Sequence, residues 1–411
     1  MIPCPLIRRT IVFSIGLLFI FNSLPDGRAT AGLTSVSPAL ADQLSPLLGP
    51  NDAVAVIDPE GGQLVSIHAD RLLVPASILK TLTALAALHY LGKDYRFSTD
   101  FYITPDNYLI IKGYGDPLMV SERIGDIAGH LATRITRIAG LILDDSYFSY
   151  PIVIPGRNNT LQPYDAPNGA LCVNFNTVNF RQNSGHWESA EPQTPLLPFA
   201  ITKIRASGQK EGRITLAADR REILQYSGEM FLFFLGKTGI DIPEEIVWDA
   251  IPSGEKTLLW RYTAPNSLQD VVAALLEFSN NFIANQLMLA MGAARFGPPG
   301  TMDKGLQALR SYYTTVLGAQ TGHIAEASGL SRDNRISANT MLHILQHFQP
   351  YHGLMRREGR QWYKTGTLNG VSTRAGYLSS ADGGHYRFVV MINTPGKRSD
   401  RVLRLLERAL K

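Results

Sequence analysis

The sequence predicts an α+β fold in which one antiparallel sheet takes strands from both ends of the chain, helices flank the sheet, and a long β-rich segment is inserted between the ends. Near the start, residues 52–58 and 63–68 are predicted strands joined by a Pro-Glu-Gly-Gly turn. Near the end, residues 361–368 and 371–378 are joined by Asn-Gly, a strong hairpin signal, and a further strand follows at 385–393. Two strands from one end and three from the other predict a five-stranded sheet.

Residues 75–91 are predicted to form a helix that is buried on nearly every face. Lys80 is the single permanently charged side chain in this run of mostly Leu, Ala, Ile, Thr and aromatic residues. A run that is apolar all round belongs inside a large domain. Pro75 suits the first helical position and Gly92 suits the exit. The sequence therefore predicts a lysine inside a core element.

Ser77 and Lys80 on this helix are a candidate nucleophile and base. Ser77 lies in the first turn, where free backbone N–H groups and the positive end of the helix dipole favour developing negative charge. Lys80 follows one turn later, so its amine can lie beside the hydroxyl, and a buried lysine with a lowered pKa can take a proton. The alternative is that Lys80 extends to solvent while Ser77 helps the helix to start. The same Ser-x-x-Lys spacing recurs at 207–210 and 253–256, but in polar stretches with no apolar helix following.

The first 31 residues are predicted to be a secretory signal peptide. Arg8 and Arg9 precede the apolar run 11–21, and Ala-Thr-Ala at 29–31 offers small residues for cleavage. Because the apolar run is too short to span a membrane, we expect a periplasmic or secreted protein with no stable membrane span after signal removal. Removal deletes three Arg and one Asp and lowers the formal charge from +4 to +2. This near-neutral balance gives no argument for nucleic-acid binding.

Neither the cysteines nor the histidines predict a convincing second site. Cys4 leaves with the signal peptide, and Cys172 lies in an apolar stretch where a buried, inert thiol is expected. His343 and His347 are spaced i, i+4 with His352 nearby, which could bind zinc, but the Glu of zinc hydrolases is missing between them. We therefore expect no metal and no other cofactor.

The middle of the chain is predicted to mix strands and helices without clustering catalytic residues. A hairpin is expected at 95–112 and a β-rich stretch at 149–215, and the two glycines of the loop 113–117 are only weak evidence for a phosphate site. Further helices are predicted at 121–138, 221–235, 265–292, 302–317, 337–348 and 399–411, and further strands at 140–143 and 245–248. The last helix is basic and amphipathic, and we expect it to pack on the sheet, with attachment to a membrane surface as the alternative.

Two further polar motifs lie in elements that could face the serine. Ser279-Asn280-Asn281 lies within an apolar helix, where polar side chains need hydrogen-bond partners, although a helix kink or a polar face against a neighbouring loop is the alternative. Lys364-Thr365-Gly366 lies in the strand that leads into the Asn-Gly hairpin, where glycine lets a ligand approach the backbone. A second Lys-Thr-Gly at 237–239 ends a helix, and Ser337 followed by Asn339 is typical of a helix N-cap.

Ser77-x-x-Lys80, Ser279-x-Asn281 and Lys364-Thr365-Gly366, in this order, resemble the three motifs of penicillin-binding proteins and serine β-lactamases. Further stretches are similar to the D-alanyl-D-alanine carboxypeptidase/endopeptidase family of low-molecular-weight class C penicillin-binding proteins. These stretches lie at residues 113–117, 164–167, 169–174, 279–284 and 328–337. Together they extend the resemblance over most of the chain after the signal peptide.

The resemblance implies a serine β-lactamase/DD-peptidase fold, with helices around a five-stranded antiparallel sheet and an inserted β-rich domain. The peptidase domain would be split between residues 32–95 and 262–411, with the insertion at 96–261. The implied activity is that of a serine-type D-Ala-D-Ala carboxypeptidase and/or endopeptidase, which acts on peptidoglycan stem peptides through an acyl-enzyme. β-Lactam antibiotics, penicillin among them, are implied as inhibitors, and no metal is required.

The resemblance also implies a catalytic role for each residue of the first two motifs. Ser77 would attack the carbonyl of the D-Ala-D-Ala bond, and neutral Lys80 would take its proton. Ser279 and Asn281 would pass the proton toward the leaving amine and hold the substrate amide.

Substrate binding is implied for the third motif and the residue after it. Lys364 and Thr365 would bind the terminal carboxylate, and Gly366 belongs to the same motif. The backbone N–H groups of Ser77 and Thr367 would form the oxyanion hole.

Three features depart from the family pattern, and two other functions stay open. The separation of 202 residues between Ser77 and Ser279 is shorter than expected for family members with two inserted subdomains, so we expect one to be reduced or missing. Glu326-Ala327-Ser328 stands where the family often has Asp-Gly-Ser-Gly, and Asn285 stands where an acidic residue is common. A β-lactamase or esterase with the same residues, distinguished by fast deacylation, is one alternative. A catalytically silent peptidoglycan-binding scaffold is the other, and the intact motifs argue against it.

Overall fold

Helices and strands alternate along the chain in a computed structural model that describes residues 38–242, 246–247 and 254–410. The strands are β1 Asp52–Ile57, β2 Gln63–Ile67, β3 Ser98–Ile103, β4 Tyr108–Gly113, β5 Gly140–Asp144, β6 Thr177–Asn183, β7 His186–Ser189, β8 Glu211–Thr215, β9 Ile246–Val247, β10 Thr257–Thr263, β11 Arg356–Glu358, β12 Gln361–Leu368, β13 Val371–Ser379 and β14 His385–Ile392. The helices are α1 Pro38–Leu44, α2 Lys80–Leu91, α3 Ser121–Ala132, α4 Pro198–Ser207, α5 Arg220–Lys237, α6 Leu268–Phe278, α7 Asn281–Phe296, α8 Met302–Ser311, α9 Ala338–Phe348 and α10 Asp400–Ala409. The predicted signal peptide at 1–31 lies outside the described residues.

Strands from both ends of the chain form one antiparallel sheet in the order β11-β12-β13-β14-β1-β2. β1 pairs with β14 so that Val54 lies opposite Val390, and the Asn-Gly turn joins β12 to β13 with Gly370 at a φ of +73°. The predicted sheet is therefore confirmed. The structure adds the edge strand β11, whose three exposed residues, Arg-Arg-Glu, carry no strand pattern that the sequence could reveal.

α2 lies in the core, and every residue from Lys80 to Leu88 is buried. The helix starts later than predicted, because residues Ala76–Leu79 form a 3₁₀ turn that Pro75 precedes. Ala76 in this turn has a φ of +50°, a left-handed conformation that costs a non-glycine residue about 1 kcal/mol. Ser77 therefore lies in a tight turn leading into α2 rather than in the first turn of a regular helix.

The long stretch between β2 and α6 forms two further sheets. One has the order β10-β3-β4-β5-β9 and the other the order β7-β6-β8, and each takes its strands from residues 98–263 only. Because these strands pair only with one another, the two sheets agree with an insertion at about 96–261. This domain division remains a prediction. The predicted β-rich stretch 149–215 also contains α4, which begins with a proline at its first position and whose sequence pattern is weakly amphipathic.

The predicted helix 265–292 is two helices, α6 and α7, with a sharp junction between them. Ser279 at the junction has a φ of +53°, and the Asn280 side chain accepts a hydrogen bond from Ile283 N at 3.1 Å. An asparagine that caps a new helix ends the preceding one, because its side chain satisfies a backbone N–H that a continuous helix would use. The apolar pattern runs through the junction and conceals it.

The terminal helix α10 packs on the six-stranded sheet, as the sequence predicted. Val402, Leu403 and Leu406 lie in one apolar cluster with Val54 and Val390 of the sheet. This burial accounts for the amphipathic pattern of the helix. Nowhere in residues 38–242 and 254–410 does a helix have both the length and the apolar character needed to cross a membrane.

Candidate active site

The turn that carries Ser77 is held between two glycines from distant segments. A Cβ on Gly366 of β12 would lie 2.8 Å from Ser77 N and 2.9 Å from Pro75 O, and a Cβ on Gly329 would overlap the carbonyl oxygen of Ala76. Thr373 Oγ1 of β13 donates a hydrogen bond to Pro75 O at 2.7 Å. Ser77 is therefore positioned by close backbone packing against β12 and against the loop that contains Gly329.

Replacing Gly329 by alanine is expected to lower the free energy of unfolding by about 2–4 kcal/mol, because the new methyl group overlaps Ala76 and Gly329 has a φ of +82°. Gly318 is a matched control, since it has a φ of +67° and a methyl group added there would meet nothing within 4 Å. Gly318→Ala should lower the free energy of unfolding only by the cost of the left-handed backbone conformation, about 1 kcal/mol. Urea unfolding of both variants measures the difference, and equal losses would contradict the close packing at Gly329.

The Lys80 amine is fully buried and has three hydrogen-bond acceptors. Nζ donates to Ser77 Oγ at 3.0 Å, to Asn281 Oδ1 at 2.7 Å and to Ser328 O at 2.7 Å. These bonds join the nucleophile turn, the start of α7 and the loop before α9. They fix the amine beside the serine hydroxyl, within reach for a proton transfer.

The pKa of Lys80 is well below its usual value, chiefly because burial disfavours the charged amine. The nearby charge of Lys364 lowers this pKa further, and the charge of Glu326 opposes both effects. Burial also lowers the pKa of Lys364 to about 8, Glu277 at the end of α6 raises it, and Arg356 lowers it. Because the charge of Glu277 acts on Lys364 and the charge of Lys364 acts on Lys80, the end of α6, β12 and α2 lie around one site.

The α6–α7 junction is fixed by the segment between β5 and β6. Asn281 Nδ2 donates to Tyr164 O at 3.3 Å, so that Asn281 connects this segment to Lys80. Behind it, Asn168 Nδ2 donates to Phe282 O at 2.9 Å, and Gln286 Nε2 donates to Gly169 O at 2.6 Å. These bonds hold the first two turns of α7 against the segment between β5 and β6.

The structure brings most of the predicted site residues together. Ser77, Lys80 and Asn281 share hydrogen bonds, and Gly366 packs on the serine turn. Lys364 acts on the pKa of Lys80. Thr365 and Thr367 are exposed on either side of Gly366 in β12, and Ser279 lines a cavity together with Asn281.

The other copies of the motifs lie in ordinary structural positions. Ser207 ends α4 and Lys210 follows it, Lys237 ends α5 with Thr238 and Gly239 after it, and Ser253 lies outside the described residues. Ser337 is the N-cap of α9, since its Oγ accepts from Thr340 N at 3.0 Å.

The sequence analysis noted Glu326 only as a departure from the family pattern and missed its role, although the residue is fully buried beside the site. Its carboxylate accepts hydrogen bonds from five groups: Ser328 N and Oγ at 2.6 Å each, Asn334 Nδ2 at 2.8 Å, Asn285 Nδ2 at 3.2 Å and Ser331 N at 3.3 Å. These bonds fold the loop that presents Ser328 O to Lys80. The available signal was an acidic side chain among small and apolar residues, which needs partners if it is buried.

The histidine and cysteine alternatives find no support in the described residues. His343 Nε2 bonds to Leu317 O at 2.8 Å, and no three His, Cys, Asp or Glu side chains in this part of the chain are grouped to hold a metal. Cys172 is buried, and burial raises the pKa of its thiol to about 12. A thiol with this pKa is a poor nucleophile.

Comparison with known proteins gives similarity of sequence and of fold. The profile of a family described as D-Ala-D-Ala carboxypeptidase 3 (S13) matches residues 34–211 and 203–357. A D-alanyl-D-alanine carboxypeptidase of Actinomadura sp. (strain R39) is 25% identical over 85% of this chain and 82% of its own length.

Among solved structures, penicillin binding protein 4 of Haemophilus influenzae matches with a TM-score of 0.73 and 19% identity, covering 90% of this chain and 98% of its own. The same protein in complex with a β-lactam matches with a TM-score of 0.68 and 18% identity over the same shares. This likeness confirms the predicted fold class. The family match ends before Lys364. Residues 364–367 are therefore assigned to the site by their positions in the structure alone.

Proposed function

The chain belongs to the D-Ala-D-Ala carboxypeptidase 3 (S13) family of serine peptidases, and we propose that Ser77 is the nucleophile with which it cleaves D-alanyl-D-alanine bonds of peptidoglycan stem peptides. The observation that carries the proposal is the buried Lys80 amine, 3.0 Å from Ser77 Oγ and with a lowered pKa. An uncharged amine at this distance is a base that activates a serine. The proposed setting is the periplasm or the cell exterior.

In the acylation step, Ser77 Oγ attacks the substrate carbonyl carbon while its proton moves to neutral Lys80. The carbon–nitrogen bond then breaks, and the departing amine receives a proton through Ser279. This leaves the shortened peptide as an ester on Ser77. The fixed position of the Lys80 amine supports this sequence, because it needs no rearrangement before the proton moves.

The developing oxyanion would be bound by the backbone N–H groups of Ser77 and Thr367. The close packing of Ser77 N on Gly366, one residue before Thr367, supports this role because it brings the two chain segments into contact. Preorganised N–H donors stabilise negative charge without the cost of reorienting solvent.

In the deacylation step, water adds to the ester carbonyl and the bond from the acyl carbon to Ser77 Oγ breaks. Ser77 recovers a proton, and the shortened peptide leaves with a new carboxylate. Each cycle therefore consumes one water molecule and restores the enzyme.

Lys364 and Thr365 would bind the carboxylate of the residue that leaves. Lys364 is buried with a pKa of about 8, so it is mostly charged at neutral pH. A cation with little surrounding water binds a carboxylate strongly, since neither charge is screened. Asn281 would hold the amide of the acyl part of the substrate.

The pH dependence of kcat/KM is expected to be bell-shaped. Activity should rise as Lys80 loses its proton and becomes a base, and it should fall as Lys364 loses its charge near pH 8. Lys364→Arg keeps the charge at high pH, so the alkaline fall should move upward by at least one pH unit, whatever its effect on the maximum rate. Initial rates of D-Ala release between pH 5 and 10 measure both limbs. An unchanged alkaline limb in Lys364→Arg would show that Lys364 does not bind the substrate carboxylate.

A fluorescent penicillin and purified muropeptides test the function of the wild-type protein. We expect one label per molecule that persists for minutes or longer, and loss of D-Ala from pentapeptides or cleavage of cross-links, read by mass. Rapid release of label without peptide cleavage would indicate a β-lactamase or esterase. No label and no cleavage would indicate a scaffold.

A further inference from the structure

Glu326 is a buried acidic side chain that lacks an ion-pair partner. It is fully buried, and within residues 38–242 and 254–410 no lysine, arginine or histidine forms a salt bridge with its carboxylate. A buried charge is costly unless hydrogen bonds and an opposite charge compensate for the lost water. The opposite charge for Glu326 therefore has to arise elsewhere in the site.

The hydrogen bonds around Glu326 favour its ionised form. Its two carboxylate oxygens accept hydrogen bonds from Ser328 N, Ser328 Oγ, Asn285 Nδ2, Asn334 Nδ2 and Ser331 N. Ser328 Oγ accepts a hydrogen bond from Leu330 N at 3.2 Å, so its own hydrogen is free for Glu326. Because all five contacts are donors, the hydrogen of a protonated carboxyl would find no acceptor among them. The loop before α9 therefore holds a negative charge.

Two hydrogen-bonded connections join this charge to the Lys80 amine. The first passes through Ser328, whose carbonyl oxygen accepts from Lys80 Nζ at 2.7 Å and whose N–H donates to Glu326 at 2.6 Å. The second passes through α7, where Asn285 Nδ2 donates to Glu326 at 3.2 Å and to Asn281 O at 3.3 Å. Asn281 Oδ1 in turn accepts from Lys80 at 2.7 Å. Glu326 thus holds both groups that orient the amine from the side away from Ser77.

The charges that act on Lys80 come from two elements. β12 contributes Lys364, which opposes protonation of Lys80, and the loop before α9 contributes Glu326, which favours it. The turn before α2 and the start of α7 contact the amine through Ser77 and Asn281, which are uncharged. A proton that arrives at Lys80 is therefore stabilised by Glu326 and destabilised by Lys364.

We propose that Glu326 is a positioning residue for acylation: it holds the Lys80 amine through Ser328 and Asn285, and its charge stabilises the ammonium that Lys80 becomes on taking the Ser77 proton. The inference rests on the proposed function, in which Lys80 is the base. The proton moves from Ser77 Oγ to Lys80 Nζ as Ser77 Oγ bonds to the carbonyl carbon, and Glu326 neither gains nor loses a proton.

This arrangement acts on the transition state more than on substrate binding. Before the step Lys80 is neutral and the Glu326 charge has no partner. During the step a positive charge develops on Lys80, with the carboxylate already fixed in place across Ser328. An interaction that strengthens only as charge develops raises the rate of the step without tightening substrate binding.

Glu326→Gln removes the charge and keeps the size of the side chain. Lys80 should then lose its proton at lower pH, so the acid limb of penicillin acylation should move down by at least about half a pH unit. On the plateau, acylation should slow by about 10- to 100-fold while the initial affinity for penicillin stays unchanged. Stopped-flow labelling between pH 5 and 10 at several penicillin concentrations measures the limb, the rate and the affinity.

A double variant separates the charge from the folding of the loop, because Glu326→Gln places an amide against hydrogen-bond donors. Combining Glu326→Gln with Asn285→Asp moves the carboxylate to the other end of one hydrogen bond, 3.2 Å away. The negative charge then stays in the same buried space beside Ser328. This double variant should recover most of the plateau rate and return the acid limb to that of wild type.

Asp333→Asn is the matched control for loss of a carboxylate from this loop. Asp333 is exposed, and among the described contacts its carboxylate accepts a hydrogen bond from Ser331 Oγ at 3.5 Å. It forms no hydrogen bond with Glu326 or Lys80 in the described part of the chain. Asp333→Asn should keep the acid limb and the plateau rate of wild type.

Two results would overturn the inference. An acid limb that stays at the wild-type pH in Glu326→Gln would show that the charge does not act on the base. No recovery in the double variant, through either a slow rate or loss of folding in urea unfolding, would assign Glu326 to the folding of the loop alone. Failure of the proposed function is a separate result, since the wild-type protein would then neither bind penicillin nor release D-Ala.

Discussion

Ser77→Ala should abolish covalent labelling by a fluorescent penicillin and lower D-Ala release by at least about 10⁴-fold, because the variant lacks the hydroxyl on which the proposed acyl-enzyme forms. The variant should fold normally. Ser77 makes its side-chain hydrogen bond only to Lys80 among the described contacts, and its turn is held by Gly366, Gly329 and Thr373. Gel fluorescence after labelling and a coupled D-Ala assay measure the two losses.

Ser207→Ala is the matched control for this experiment. Ser207 has the same Ser-x-x-Lys spacing but ends α4, where its Oγ donates to Ile204 O at 2.6 Å. Labelling of this variant should equal that of wild type. Persistent labelling of Ser77→Ala at a new residue, found by mass spectrometry of the labelled peptide, would assign the nucleophile elsewhere.

The sequence predicted the parts of the fold whose signals are local. An Asn-Gly turn between alternating strands and an apolar run of helical length each need only nearby residues to be recognised. The break at Ser279 could not be seen in this way, because the apolar spacing continues from α6 into α7. The three-residue strand β11 forms only because β12 is there to pair with it.

The same distinction applies to the site. Ser77 and Lys80 are one helical turn apart, so their proximity follows from the sequence. The role of Glu326 does not, since it depends on how a loop from residue 326 to 334 folds around a carboxylate. Likewise, the left-handed Ala76 results from packing between Gly329 and Gly366, which lie far away in the chain.

The pKa of Lys80, on which the proposed mechanism depends, is set by tertiary structure. Burial and the charge of Lys364 lower the pKa of Lys80, while Glu326 raises it. A bound substrate carboxylate would neutralise Lys364 and so raise the pKa of Lys80 during the reaction. The base would thereby gain affinity for the Ser77 proton when substrate is present.

Lys80→Met should slow acylation by penicillin about 10³-fold, because methionine fills the same volume but cannot take the serine proton. Three acceptors lose a donor: Ser77 Oγ, Asn281 Oδ1 and Ser328 O. The free energy of unfolding should nevertheless change little, since the variant also removes the desolvation cost of a buried amine. Stopped-flow labelling and urea unfolding measure these two quantities separately.

Lys210→Met, in the polar copy of the motif after α4, should acylate at the wild-type rate. The residual acylation of Lys80→Met should also lose the acid limb of its pH profile, because no lysine remains to titrate there. A residual rate that keeps the wild-type acid limb would show that another group accepts the proton. Full loss of folding in Lys80→Met would instead assign the amine a structural role, since its three hydrogen bonds would then outweigh the cost of burying it.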